Sequence, residues 1–267
     1  MGWTSEIFAN PLIRKAALNN LEALAQWPAY RQYDRHDLAL GHSARLLWTA
    51  YTQWHWLPSE LHKNIHDTLY SIVDDMMPIS DELHDSFSEV KDVLKMDEPH
   101  GVLHNIQLIA TLGTALAASA TNHPQKEKLN KRVQLLITAM FELRASGYAE
   151  GVAYDGYMID FIAPWLSTLP EEKKNSILSH SQFERFLDES YMLGAPGCLN
   201  EVTQLSDVEP DEMPFHTSAQ AKLQSLVPSP IRAWYLNPRS CSLTMDVSIL
   251  SITQPISCFI ILNLSVI

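Results

Sequence analysis

The sequence predicts an all-α fold of antiparallel helical hairpins, for which an incomplete α/α toroid and a stacked array of helical repeats fit the spacing equally well. Three observations predict it. Apolar residues recur at steps of three and four through most of the 267 residues. No segment before residue 240 alternates convincingly with period two. The helical segments also arrive in pairs, each taking about 45 residues, the rhythm of stacked helical hairpins.

The first pair is expected over roughly 38–56 and 60–77. Leu47, Ala50, Tyr51 and Trp54 mark one apolar face. Leu61, Ile65, Leu69, Ile72, Val73 and Met76 mark the next, opened by Pro58-Ser59-Glu60. The second pair is expected over 83–95, with Leu83, Phe87, Val90 and Leu94 in step, and over 102–120. That last stretch is apolar nearly all round and carries Gly113, Ala115, Ala117 and Ala118, so it predicts a helix buried on most sides or packed closely by its neighbours. The third pair covers 127–145, on Leu129, Val133, Leu136, Ile137, Met140 and Phe141, and then Tyr157 through Leu169. A further helix is expected from Ile177 to Leu193 and a short one near Ser218 to Leu226. Between those two, residues 194–216 hold three prolines and a run of acids and read as a long loop.

Hydrophobic residues make up 46% and charged residues 19%, the balance of a globular protein with a sizeable core. The net charge of −12 argues against a broad nucleic-acid footprint and, mildly, against polyanionic ligands, although a local cluster of cations in a cleft overrides that. Cys198, Cys241 and Cys258 have neither disulfide-framework nor zinc spacing. Residues 1–20 carry Glu6 and Pro11 and do not read as a secretory signal, so localisation stays open. After Arg239 the composition changes, with Asp246 the only charge through Ile267. Pro255 and scattered polar residues spoil a membrane span there. The expected organisation is a domain over 1–239 and an atypical tail over 240–267, out of frame or non-native, with no membrane partner.

Between two of the apolar patterns lies Gly147-Tyr148-Ala149-Glu150-Gly151-Val152-Ala153-Tyr154-Asp155-Gly156-Tyr157. Three glycines, three tyrosines and two carboxylates in eleven positions predict a shaped loop rather than helix interior. A phenol positioned there is suited to proton transfer if its partner lies within reach.

Glu150 through Tyr157 resembles the glutamate-glycine-x-x-tyrosine loop of the heparinase II/III-like and alginate-lyase-like polysaccharide lyases. His100-Gly101-Val102-Leu103-His104-Asn105-Ile106-Gln107 resembles that family's Asn/His-bearing helix, and His104 precedes Tyr154 by 50 positions, close to the family's separation. The likeness spans about residues 35–226. It implies an α/α toroid and β-elimination on a uronic-acid-containing polysaccharide, with no cofactor and no metal. On this sequence it implies Tyr154 as base or acid with Tyr157 as competitor, His104 as base or carboxylate neutraliser, and Asn105 as neutraliser. Glu150 would fix the loop, and Gln107 and His216 would line the substrate cleft. The chain departs from the family in placing His104 before Asn105, and no segment corresponds to the family's β-sandwich. One implied outcome is therefore an inactive, truncated enzyme.

Other readings of the same residues stay open. Glu150 and Asp155 would serve a glycoside hydrolase on a similar toroid, and the hairpins alone would serve a non-catalytic interaction module. Tyr154 and Tyr157 also suit packing with a polar tip, and His104 also suits a core or capping role. His62 and His66, like His100 and His104, have the four-residue spacing of metal ligands but lack a third ligand. Trp48, Trp54 and Trp56 suit either sugar stacking or core packing.

Overall fold

A computed structural model describes residues 10–27, 38–145, 152–183, 186, 221, 223–230 and 233. All the regular structure among them is helical, and no strand occurs. Nine helices are defined there: α1 (Pro11–Ala25), α2 (Leu38–Gln53), α3 (Ser59–His84), α4 (Val90–Leu94), α5 (His100–Leu103), α6 (Asn105–Thr121), α7 (Lys126–Ala145), α8 (Val152–Ser167) and α9 (Glu171–Leu178). The chain divides into two compact units, one of Ser5–Leu143 and one of Arg144–Ile267 with Met1–Thr4. Each is described by itself.

In the first unit α6 is the central element. It packs extensively on α2 and also on α3. Its small residues explain why. Every residue from Leu108 to Ala118 is buried, which a helix achieves only when neighbours cover it on all sides. At the α2–α6 crossing the two backbones touch through Gly41 and Gly113. A Cβ added at Gly113 would lie 2.7 Å from the Gly41 Cα, and one at Gly41 would lie 2.6 Å from the Ile109 carbonyl oxygen. Only glycine permits that approach. Two threonines enter the same buried surface without leaving orphan hydroxyls, because Thr111 donates to the Gln107 carbonyl and Thr114 to the Ala110 carbonyl, each at 2.8 Å.

The end of α6 is equally specified. Asn122 takes the left-handed conformation (φ 51°, ψ 41°), and the His123 N–H reaches back to the Ala118 carbonyl at 2.9 Å. This is the Schellman arrangement, with asparagine where glycine is commonest. His123 is then buried. Its Nδ1 accepts from the Gln125 N–H at 3.1 Å, so its Nε2–H donates to Asp74 of α3 at 3.1 Å.

Several elements differ from expectation. The sequence reading passed over α1, although Asn10 caps it through a bond from the Leu12 N–H (2.9 Å) and Pro11 supplies the first helical residue. Helix α3 runs seven residues past the expected 77, straight through Pro78. Ile79, Ser80 and His84 are buried beyond that proline, and their burial outweighs the lost backbone bond. The helix expected over 83–95 is consequently reduced to α4. Asp92 holds the turn before it by accepting from the Glu89 N–H (2.8 Å), the Ser88 N–H (3.0 Å) and the Ser88 hydroxyl (2.9 Å).

In the second unit α8 is buried continuously from Met158 to Leu166. Helix α9 begins at Glu171, after Pro170, rather than at Ile177, and ends at Leu178 with Ser179 as its C-cap. Phe183 and Phe186 are buried, and the Arg144 guanidinium lies over the Phe186 ring at 5.0 Å. The tail 240–267, the loop 194–216 and the three cysteines lie outside the described residues.

Candidate functional site

The residues singled out on the sequence occupy two helix starts. His104 is the N-cap of α6. Its backbone is extended, and its Nδ1 accepts the Ile106 N–H at 3.2 Å. An imidazole that accepts at Nδ1 while neutral must carry its proton on Nε2. In that state the ring donates, and it serves as a base only by giving up the cap. Asn105, the first residue of α6, is buried, and Gln107 is half-buried in the same turn. Of the adjacent pair, His104 is therefore the more exposed member.

Tyr154 and Tyr157 lie in the first two turns of α8, three residues apart and hence on one face, both half-buried. The expectation of a loop through Tyr157 is corrected for residues 152–157, which are helical. Gly156 in a helix interior costs about 1 kcal/mol relative to alanine. The buried apolar run that follows, Met158 to Leu166, outweighs it. Glu150 and the first part of the motif, and His216, lie outside the described residues. His104, Asn105 and Gln107 belong to the first unit, Tyr154 and Tyr157 to the second.

The other motifs resolve structurally. His62 and His66 both pack on Tyr51, with ring centroids 4.2 and 5.7 Å away, and His62 Nε2 donates to the Tyr51 carbonyl at 3.2 Å. No group of three metal-ligating side chains occurs among the described residues. Trp48 and Trp54 are buried in the core. Trp56 stacks on Trp54 (5.4 Å) and carries the Arg14 guanidinium over its ring at 4.6 Å. No helix among the described residues is long and apolar enough to cross a membrane.

One charged cluster escaped the sequence reading. Asp81 of α3 and Asp85, which caps that helix, lie one turn apart, and Lys128 and Arg132 lie one turn apart on α7. Arg132, only 6% exposed, donates to Asp81 at 2.9 Å, to Asp85 at 2.7 Å and to the Ser80 hydroxyl. Lys128 reaches Asp81 at 2.8 Å and Asp85 at 3.1 Å. Burial alone would raise the Asp81 pKa, but hydrogen bonds from Lys128 and Arg132 outweigh it and hold the carboxyl below its ordinary value. The Lys128 ammonium is correspondingly raised, chiefly by its bond to Asp81. The i, i+4 spacings were visible in the sequence. That they meet across 51 positions was not, because either pair alone reads as a solvated face. Beside this cluster, between residues 84–90 and α7, lies an open groove of about 680 Å³.

No family model, curated protein or solved structure matches the chain.

Proposed function

We propose that this chain is a polysaccharide lyase-like helical domain, an incomplete α/α toroid acting by β-elimination on a uronic-acid-containing polysaccharide. The observation that carries the reading is the start of α6. The cap fixes the His104 proton on Nε2, and Asn105 stands beside it at the helix N-terminus. Two neutral hydrogen-bonding groups where backbone N–H groups also converge suit a carboxylate. Neutralising the C6 carboxylate of a uronate makes the C5 proton acidic.

The residue roles follow from that chemistry. Tyr154 removes the C5 proton or protonates the departing O4, with Tyr157 as its alternative one turn along. The C5–H electrons form the C4=C5 double bond as the C4–O4 bond breaks, and the proton ends on O4. No cofactor is required. Elimination alone creates a conjugated unsaturated uronate, so ultraviolet absorbance of the product separates it from hydrolysis.

The test is that absorbance on alginate, heparin, heparan, chondroitin and pectin-type substrates, with Tyr154→Phe as control. A signal lost in the variant supports the reading. No signal from a chain shown by circular dichroism to be folded, or a signal that Tyr154→Phe leaves intact, refutes it.

A further inference from the structure

The groove beside the Arg132 cluster has a composition of its own. Its walls include Phe87 and Val90 from the turn before and into α4, and Leu135 from α7, all half-buried and so presenting apolar surface to the opening. Along the α7 wall, Lys131 and Gln134 stand three residues apart on one face. Neither side chain makes a hydrogen bond or an ion pair among the described residues. Every other charged group of the lining is engaged. Asp85 is held by Lys128 and Arg132 (3.1 and 2.7 Å), and Glu89 is held by Lys91 at 2.6 Å. The lining carries three cationic side chains against two carboxylates in a chain whose net charge is −12. The local field therefore favours an anion.

We propose that this groove binds a small amphipathic carboxylate, its anionic group on the Lys131 ammonium and the Gln134 amide and its hydrocarbon against Phe87, Val90 and Leu135. A single disengaged ammonium with one amide matches one negative charge rather than a polyanion, and the few apolar side chains in an otherwise polar lining give a short hydrocarbon its place. The buried Arg132 network stiffens the wall, because it ties the end of α3 to α7 directly beneath the groove. The site is independent of the elimination chemistry proposed above and uses none of its residues.

The experiment is calorimetric titration of the full chain with octanoate and with octanamide, its neutral counterpart. Octanoate is expected to bind about fivefold more tightly, the upper end for a solvent-exposed ion pair. Lys131→Gln should abolish that preference while leaving octanamide binding unchanged, and Lys131→Arg should keep it. Lys131 is exposed and has no partner among the described residues, so both variants are expected to fold as the parent does. Absence of octanoate binding, equal binding of octanamide, or a preference that survives Lys131→Gln would each overturn the proposal.

Discussion

Replacing Gly113 by alanine tests the backbone contact at the centre of the first unit. The added methyl carbon would lie 2.7 Å from the Gly41 Cα and 2.8 Å from the Gly41 oxygen, about 0.7 Å short of the 3.4 Å at which ordinary contact begins. Both obstacles are backbone, so no rotamer change relieves them, and α2 and α6 must move apart. A gap of that size forfeits a quarter to a half of each dispersion contact along the seam. Overpacking of this kind costs about 3 kcal/mol. Against it stands the gain of about 1 kcal/mol for alanine over glycine in a helix interior. The net expectation is destabilisation by about 2 kcal/mol, a fall of roughly 6 °C in the melting temperature of the unit. Gly101→Ala is the control, because nothing lies within 4 Å of its added Cβ. That variant should be neutral or slightly more stable. Thermal unfolding followed by far-ultraviolet circular dichroism reads both. If Gly113→Ala melts at or above the parent temperature, the backbone contact is not what holds α2 on α6.

Three further outcomes are expected. Asp81 has a folded pKa below its ordinary value of 3.8, so its ion pairs stabilise the fold above that pH and the contribution is lost as pH falls through the depressed value. Denaturant midpoints measured from neutral pH into acid should therefore fall less steeply in Asp81→Asn than in the parent. At the end of α6, Asn122→Ala should cost about 1 kcal/mol for placing an ordinary residue in the left-handed region, whereas Asn122→Gly should be neutral or stabilising. Chemical denaturation of the two variants checks the sign. At the start of α6, His104→Ala should cost about 1 kcal/mol through loss of the cap, and His104→Asn should restore it. If His104 also neutralises a uronate, His104→Asn will be stable yet altered in the elimination assay.

The helical class was legible because burial imposes a 3.6-residue period wherever one face meets a core. The stretch 102–120, buried continuously from Leu108 to Ala118, gave its own location away by its small residues. What the sequence did not disclose depended on partners distant in the chain. Pro78 reads locally as the end of a helix, and only the burial of Ile79, Ser80 and His84 carries α3 past it. Gly156 reads locally as a loop residue, and only the packed face of α8 makes it helical. The start of α1 was legible in Asn10-Pro11 and was missed for want of a strong apolar stripe, since only Leu21 of that helix is fully buried. Of the candidate site, His104 was placed at a helix start and the capping role was among the readings left open. The Arg132 cluster was beyond reach, because two i, i+4 pairs carry no sign of which other pair they meet.

The central place of α6 has a consequence for how the chain is made. Its partner α2 leaves the ribosome about fifty residues earlier, since α2 ends at Gln53 and α6 begins at Asn105. At ordinary elongation rates the apolar face of α2 waits several seconds for the helix that covers it. The neighbour that emerges sooner, α3, covers less of that face. Nascent chains stalled before Thr121 should therefore be bound by trigger-factor-type chaperones and released once α6 has emerged, a timing set by where two glycines fall in the sequence.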